Sequence, residues 1–103
     1  MVLTKGFVVE TGRYLVLGTM HVAVKTAETL DAWALLRPDE RPLAVASTHY
    51  GWFIPTRNPD EPDRSEIPSE LLEAMHLGRE QGCDHLLFDC DAAAIDGLAV
   101  FPW

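Results

Sequence analysis

PSELLEAMHLGREQGCDHLLFD, residues 68–89, changes its period halfway along, and that change decides the fold class. In its first half Leu71, Leu72, Met75 and Gly78 recur at spacings that place them on one side of a helix. Pro68 suits the start of such a helix, an acidic residue stands in its first turn and Arg79 in its last, and Gly82 supplies the stop. Beyond Gly82, His85-Leu86-Leu87-Phe88-Asp89 is an apolar run of strand length. A helix passed directly to a strand is one half of a helix-over-sheet unit.

Upstream, the chain supplies the other half. Residues 5–9 and 14–20 read as strands around the turn signal Thr11-Gly12. Thr26 can cap a helix from Ala27 to Leu36, whose Leu30, Trp33 and Ala34 share a face, and Arg37-Pro38 ends it. Residues 43–47 and 50–54 are apolar and aromatic enough to form a hairpin. The segment 55–69 holds Pro55, Pro59, Pro62 and Pro68 without an apolar period, which predicts a surface loop. After Asp89, Asp96-Gly97 is a type I′ turn signal leading to a last strand, Leu98 to Phe101. The order β-β-α-β-β-α-β-β contains a split β-α-β-β-α-β unit. It predicts a single α+β domain over residues 1–103. That domain is ferredoxin-like or a related antiparallel or mixed sheet, with two helices on one face and an extra strand at each end.

The 103 residues carry 16 acidic against 8 basic side chains, a formal charge of −8. That balance argues against direct nucleic-acid binding through phosphates, which needs a concentrated Lys/Arg field. The excess is not spread evenly. Met1 to Pro59 holds five acidic and six basic residues, and everything from Asp60 onward holds eleven acidic and two basic. The sequence predicts no secretory signal and no membrane span, and so a cytoplasmic location. Cys83 and Cys90 flank the strand run, so they would lie roughly 23 Å apart and cannot bridge.

Catalysis has no supported candidate, and neither cofactor nor metal is expected. Asp89 and Asp91 follow a hydrophobic strand at i, i+2, a spacing that can hold Mg²⁺. It is also similar to the start of haloacid-dehalogenase-type phosphatases, but Ala92 stands where that pattern carries glycine. The favoured use of both carboxylates is to end the strand and cap the next turn. His21, His49, His76 and His85 lack ligand spacing and read as surface or half-buried residues. The better lead is acidic. Glu66, Glu70, Glu73 and Glu80 follow helical spacings, and Asp60, Glu61 and Asp63 extend them into the preceding loop. Such a face can imitate a phosphate backbone and engage a basic protein or nucleoprotein complex. A merely solvated helix face is the competing reading. Tyr50, Trp52 and Trp103 are either interface anchors or sheet core.

Tyr50-Gly51-Trp52, the run Gly82 to Asp91, Ile95-Asp96-Gly97 and Trp103 together resemble an uncharacterised family of small acidic proteins from plasmids and mobile elements. Leu15 to His21 is similar to that family's first strand. The resemblance implies company with anti-restriction proteins. It therefore implies a non-enzymatic inhibitor of a nucleic-acid-targeting host defence complex, anti-CRISPR-like or anti-restriction-like, monomeric or homodimeric. Two alternatives stand beside it: a small metal-binding protein or enzyme using Asp89 and Asp91, and a dimerising module pairing through the edge strand Leu98 to Phe101.

Overall fold

The apolar run after Gly82 forms a strand, His85–Asp89, in the interior of the sheet. A computed structural model of the chain describes residues 2–4 and 7–103. Its strands are Val2–Thr4 (β1), Phe7–Val9 (β2), Tyr14–Gly18 (β3), Ala46–Ser47 (β4), Gly51–Pro55 (β5) and His85–Asp89 (β6). Its helices are Val24–Leu35 (α1), Asp63–Glu66 (α2) and Ser69–Glu80 (α3). The main sheet has the order β3-β6-β5-β4, with β6 parallel to β3 and the other two pairings antiparallel. This is the α+β class in its mixed-sheet form.

Register explains burial. Leu17, Phe88 and Trp52 stand side by side, as do Leu86 and Ile54, and all five are buried on one face. Ala27 and Leu30 of α1 and Leu71, Ala74 and Met75 of α3 close the core over that face. The next residue along each strand points the other way. Tyr14, Val16, Phe53, His85 and Leu87 therefore lie exposed or half-exposed on a face that carries neither helix.

The proline-rich segment sets the strand directions. Arg79 donates from Nη1 to the Thr56 carbonyl, so α3 ends where β5 ends. His85 then opens β6 opposite Pro55. To descend to that point α3 must begin at the far end of the sheet, and residues 56–68 carry the chain there. The segment is a loop as expected, but it folds one short helix, α2, and is pinned by buried Pro59 and Ile67.

Several boundaries differ from the expectations, each for a local reason. The strand predicted over 14–20 stops at Gly18, because Thr19–His21 turn as a 3₁₀ helix. The first helix begins at Val24, so Thr26 lies inside its first turn and is buried rather than being the cap. Only Ala46 and Ser47 pair from the run 43–47, while Leu43 and Val45 are buried in the core. Of the expected strand 5–9, Lys5 and Gly6 lie outside the described residues. The described part pairs with β1 in a separate two-stranded sheet, Val2 opposite Val9, and adds no strand to the main one. The expected final strand is absent. Gly97 does turn at φ 94°, but Leu98 to Phe101 joins no sheet. The segment instead docks on residues 20–22: the Phe101 N–H donates to the Met20 carbonyl (2.8 Å) and Trp103 Nε1 to the Val22 carbonyl (3.0 Å).

Candidate functional site

Seven residues make nearly two helical turns, so Glu73 and Glu80 project from one side of α3. They flank a groove of about 460 Å³ between α3 and the Asp96-Gly97 turn. Leu72, Leu77 and Leu98 give it an apolar lining, and Asp96 adds a third carboxylate. Glu80 is paired with His76 one turn back, at 2.5 Å. Among the described residues neither Glu73 nor Asp96 has a cation at ion-pair distance. Arg64 and Arg79 also border the groove, but each donates elsewhere, Arg64 to Asn58 and Arg79 to the Thr56 carbonyl.

The other acidic candidates do not continue this surface. Glu70 is half-buried, and its Oε2 accepts from the Ala23 N–H (3.1 Å) and the Thr26 hydroxyl (2.7 Å). Ala23 is the N-cap of α1 and has no side-chain oxygen to offer the free amides there. A carboxylate from α3 takes that role and also complements the helix dipole. Glu70→Ala is therefore expected to cost about 1–2 kcal/mol of stability, measured by urea unfolding. Glu70→Gln, which keeps an acceptor, should lose less; equal stability of all three proteins would refute the cap.

Glu66 shares a second hollow with Glu70, Lys25 and the start of α1. Asp60, Glu61 and Asp63 are exposed around α2, where the Asp60 carbonyl accepts from Arg64 N–H and the Glu61 carboxylate accepts from the Ser65 hydroxyl. The seven candidates thus divide among a groove, a loop and a helix cap. Asp96, which the sequence offered only as a turn residue, joins Glu73 and Glu80 by long-range packing.

Asp89 ends β6, and its Oδ1 accepts from the Asp91 N–H at 2.8 Å, closing the turn. Donor atoms of Asp89, Cys90 and Asp91 lie within 4.8 Å of one another. A hard cation takes six or more oxygens, and this turn offers two carboxylates and a thiol, with one oxygen already engaged. Both cysteines are free, Cys83 buried and Cys90 exposed.

The aromatic candidates separate. Trp52 is core, its Nε1 donating to Asp31 at 2.8 Å, whereas Tyr50 and Trp103 are exposed. Among the histidines, His21 departs from the surface or half-buried placement expected of it. It is 2% exposed, donates from Nδ1 to the Ala99 carbonyl (2.8 Å) and accepts at Nε2 from the Ile95 N–H (3.1 Å). That pair of bonds assigns the tautomer. Its residue type carried no signal of this role, since both partners lie more than seventy residues away.

A family model described as "Family of unknown function (DUF5983) C-terminal domain" matches residues 14–103, from the first residue of β3 onward. Comparison with curated proteins and with solved structures finds no match.

Proposed function

Because the chain belongs to this family of unknown function, DUF5983, we propose a role from the surface itself: a non-enzymatic binding protein whose α3 groove engages a basic partner. One observation carries the reading. Among the described residues Glu73 and Asp96 have no cation at ion-pair distance, and with the His76-paired Glu80 they stand around an apolar lining of Leu72, Leu77 and Leu98. Apolar contact inside a charged rim is the usual anatomy of a protein interface. Carboxylates at the rim speed the approach of a Lys/Arg surface and reject an acidic one. The exposed Asp60, Glu61 and Asp63 form a separate acidic loop around α2, and Glu70 caps the start of α1.

The partner class is a protein or nucleoprotein that holds phosphates with basic side chains, blocked when carboxylates occupy that place. The mobile-element setting implied by the resemblance makes a nucleic-acid-targeting host defence complex the first partner to test, and the cytoplasm the place of action. Among the described residues no helix is long and apolar enough to cross a membrane. Dimerisation through an edge strand at Leu98 to Phe101 is not retained, since no strand forms there.

Glu73→Lys combined with Glu80→Lys tests the groove without touching the Glu70 cap. Wild-type protein should capture a basic, nucleic-acid-binding partner from host lysate at low salt and lose it at high salt. The double variant should bind that partner at least about tenfold more weakly, the low end for close charge pairs, with an unchanged circular dichroism spectrum. Equal affinity of the two proteins would reject the groove.

A further inference from the structure

We propose that the helix-free face of the sheet, together with the basic hollow at one end of it, binds single-stranded nucleic acid. Three rings on three adjacent strands meet on that face. Phe53 of β5 lies stacked on His85 of β6, with centroids 4.7 Å apart and planes at 11°, and meets Tyr14 of β3 edge-on at 6.1 Å. Tyr14 is 56% exposed and Val16 beside it 43%, so the platform is open to a planar ligand. Among the described residues both long helices pack on the opposite face.

Cations gather at the end of the sheet where Tyr14, His85 and Pro55 stand in register. Arg57 follows β5, Arg79 closes α3, and both line a hollow of about 520 Å³ with Pro55, Asp84 and His85. Arg13 precedes β3, and its Nη1 lies 3.7 Å from the place a Cβ would take on Gly82, in the wall of that hollow. Among the described residues none of these three guanidinium groups has a carboxylate at ion-pair distance. The one acid in the wall, Asp84, accepts from the Arg13 backbone N–H at 2.9 Å. Three arginines against one aspartate leave a local positive balance, in a chain whose total is −8.

An aromatic platform that ends in guanidiniums without a carboxylate at ion-pair distance among the described residues, Arg79 being held by the Thr56 carbonyl, fits a base on the rings and phosphates on the cations. Stacking needs a free base face, which a single strand has and a duplex hides, and it tolerates any base. The bulk charge excludes nucleic acid only if it acts as an average. At physiological salt charges are screened beyond about 8 Å, and the α3 carboxylates belong to the helix side of the sheet. A nucleoprotein partner would offer both a basic surface to the groove and a strand to this face. The two sites share Arg79 but no glutamate, so the Glu73 and Glu80 substitutions test the groove alone.

The test is fluorescence anisotropy of the full chain with a labelled short oligothymidylate, titrated between about 50 and 200 mM salt. Saturable binding is expected, weakened about tenfold by Tyr14→Ala through lost stacking. Arg57→Ala should weaken it and lower the salt slope by about one. Both side chains are exposed, so the variants should fold, with circular dichroism as the check. Glu73→Lys with Glu80→Lys should not weaken it. No binding at the lowest salt overturns the proposal, and so does binding that both variants retain in full. A duplex bound as tightly as the strand, or thymidine monophosphate competing as well as the oligonucleotide, overturns the single-strand assignment.

Discussion

His21→Ala is expected to lower the stability of the domain by about 3 kcal/mol and to release the segment 92–103 from residues 20–22. The imidazole is buried, and it is the only side chain among the described residues that bonds two backbone groups of that segment. Removing it leaves the Ile95 N–H and the Ala99 carbonyl, both on exposed residues, to water, and the loss is that of two net hydrogen bonds, about 0.5–1.5 kcal/mol each. The void left by the ring adds to this. Against a typical total of about 5–15 kcal/mol, that is a large fraction. Urea unfolding measures the loss, and amide hydrogen exchange at Ile95 and Phe101 locates it. Exchange at those two amides unchanged from wild type would show that the Phe101–Met20 and Trp103–Val22 bonds hold the segment without the histidine. Because Asp96 and Leu98 belong to this segment, the α3 groove should lose one wall in the variant, and partner binding should weaken with it.

Gly51→Ala is expected to cost about 3 kcal/mol or more, or to prevent folding, although it adds one methyl group. Gly51 stands opposite Asp89 at the start of β5. A Cβ there would lie 2.0 Å from the Phe88 carbonyl oxygen and 2.8 Å from its carbon. The obstacle is backbone of β6, which is held by β3 on one side and β5 on the other, so it cannot step aside without breaking a ladder. Overpacking of this kind runs about 1–3 kcal/mol where side chains can adjust, and more where they cannot. Gly18 makes the contrast. A Cβ there meets the Met20 sulfur at 2.1 Å, the far end of a flexible side chain, and its one backbone contact, the Ala92 carbonyl oxygen at 2.9 Å, is far less close than the 2.0 Å at Gly51. The denaturation midpoint of Gly51→Ala, set beside Gly18→Ala, checks the argument. A Gly51→Ala midpoint at or above that of Gly18→Ala would refute the backbone contact.

The parts of the fold legible in advance were those with a local period. Leu71, Met75 and Gly78 recur along α3, and β6 is a bounded apolar run, so both elements are where residues 68–89 place them. The misreadings fall where a tertiary partner replaced a local one. Thr26 has the chemistry of a cap, yet the cap of α1 is a carboxylate 47 residues away from Ala23. Leu43 and Val45 look like strand residues because they are buried, not because they pair. Leu98 to Phe101 has strand-like composition, but its backbone spends its bonds on residues 20–22. The candidate site divided in the same way. Glu73 and Glu80 were readable as neighbours from helical spacing, whereas nothing local marks Glu70 as structural or Asp96 as their companion.

By itself the sequence determined the α+β class, the two long helices, the strand His85 to Asp89 and the concentration of acidic charge after Asp60. These follow from periodicity and composition, which act over a few residues. Only the tertiary structure decided which carboxylates are free, that His21 is a latch, and that arginines from three separate segments meet beside an aromatic sheet face. Contacts between residues far apart in the chain depend on strand order and connection length, and neither is written in any single stretch. The acidic half is therefore legible as a charge, and the groove and the opposite basic end exist only once β6 has entered between β3 and β5.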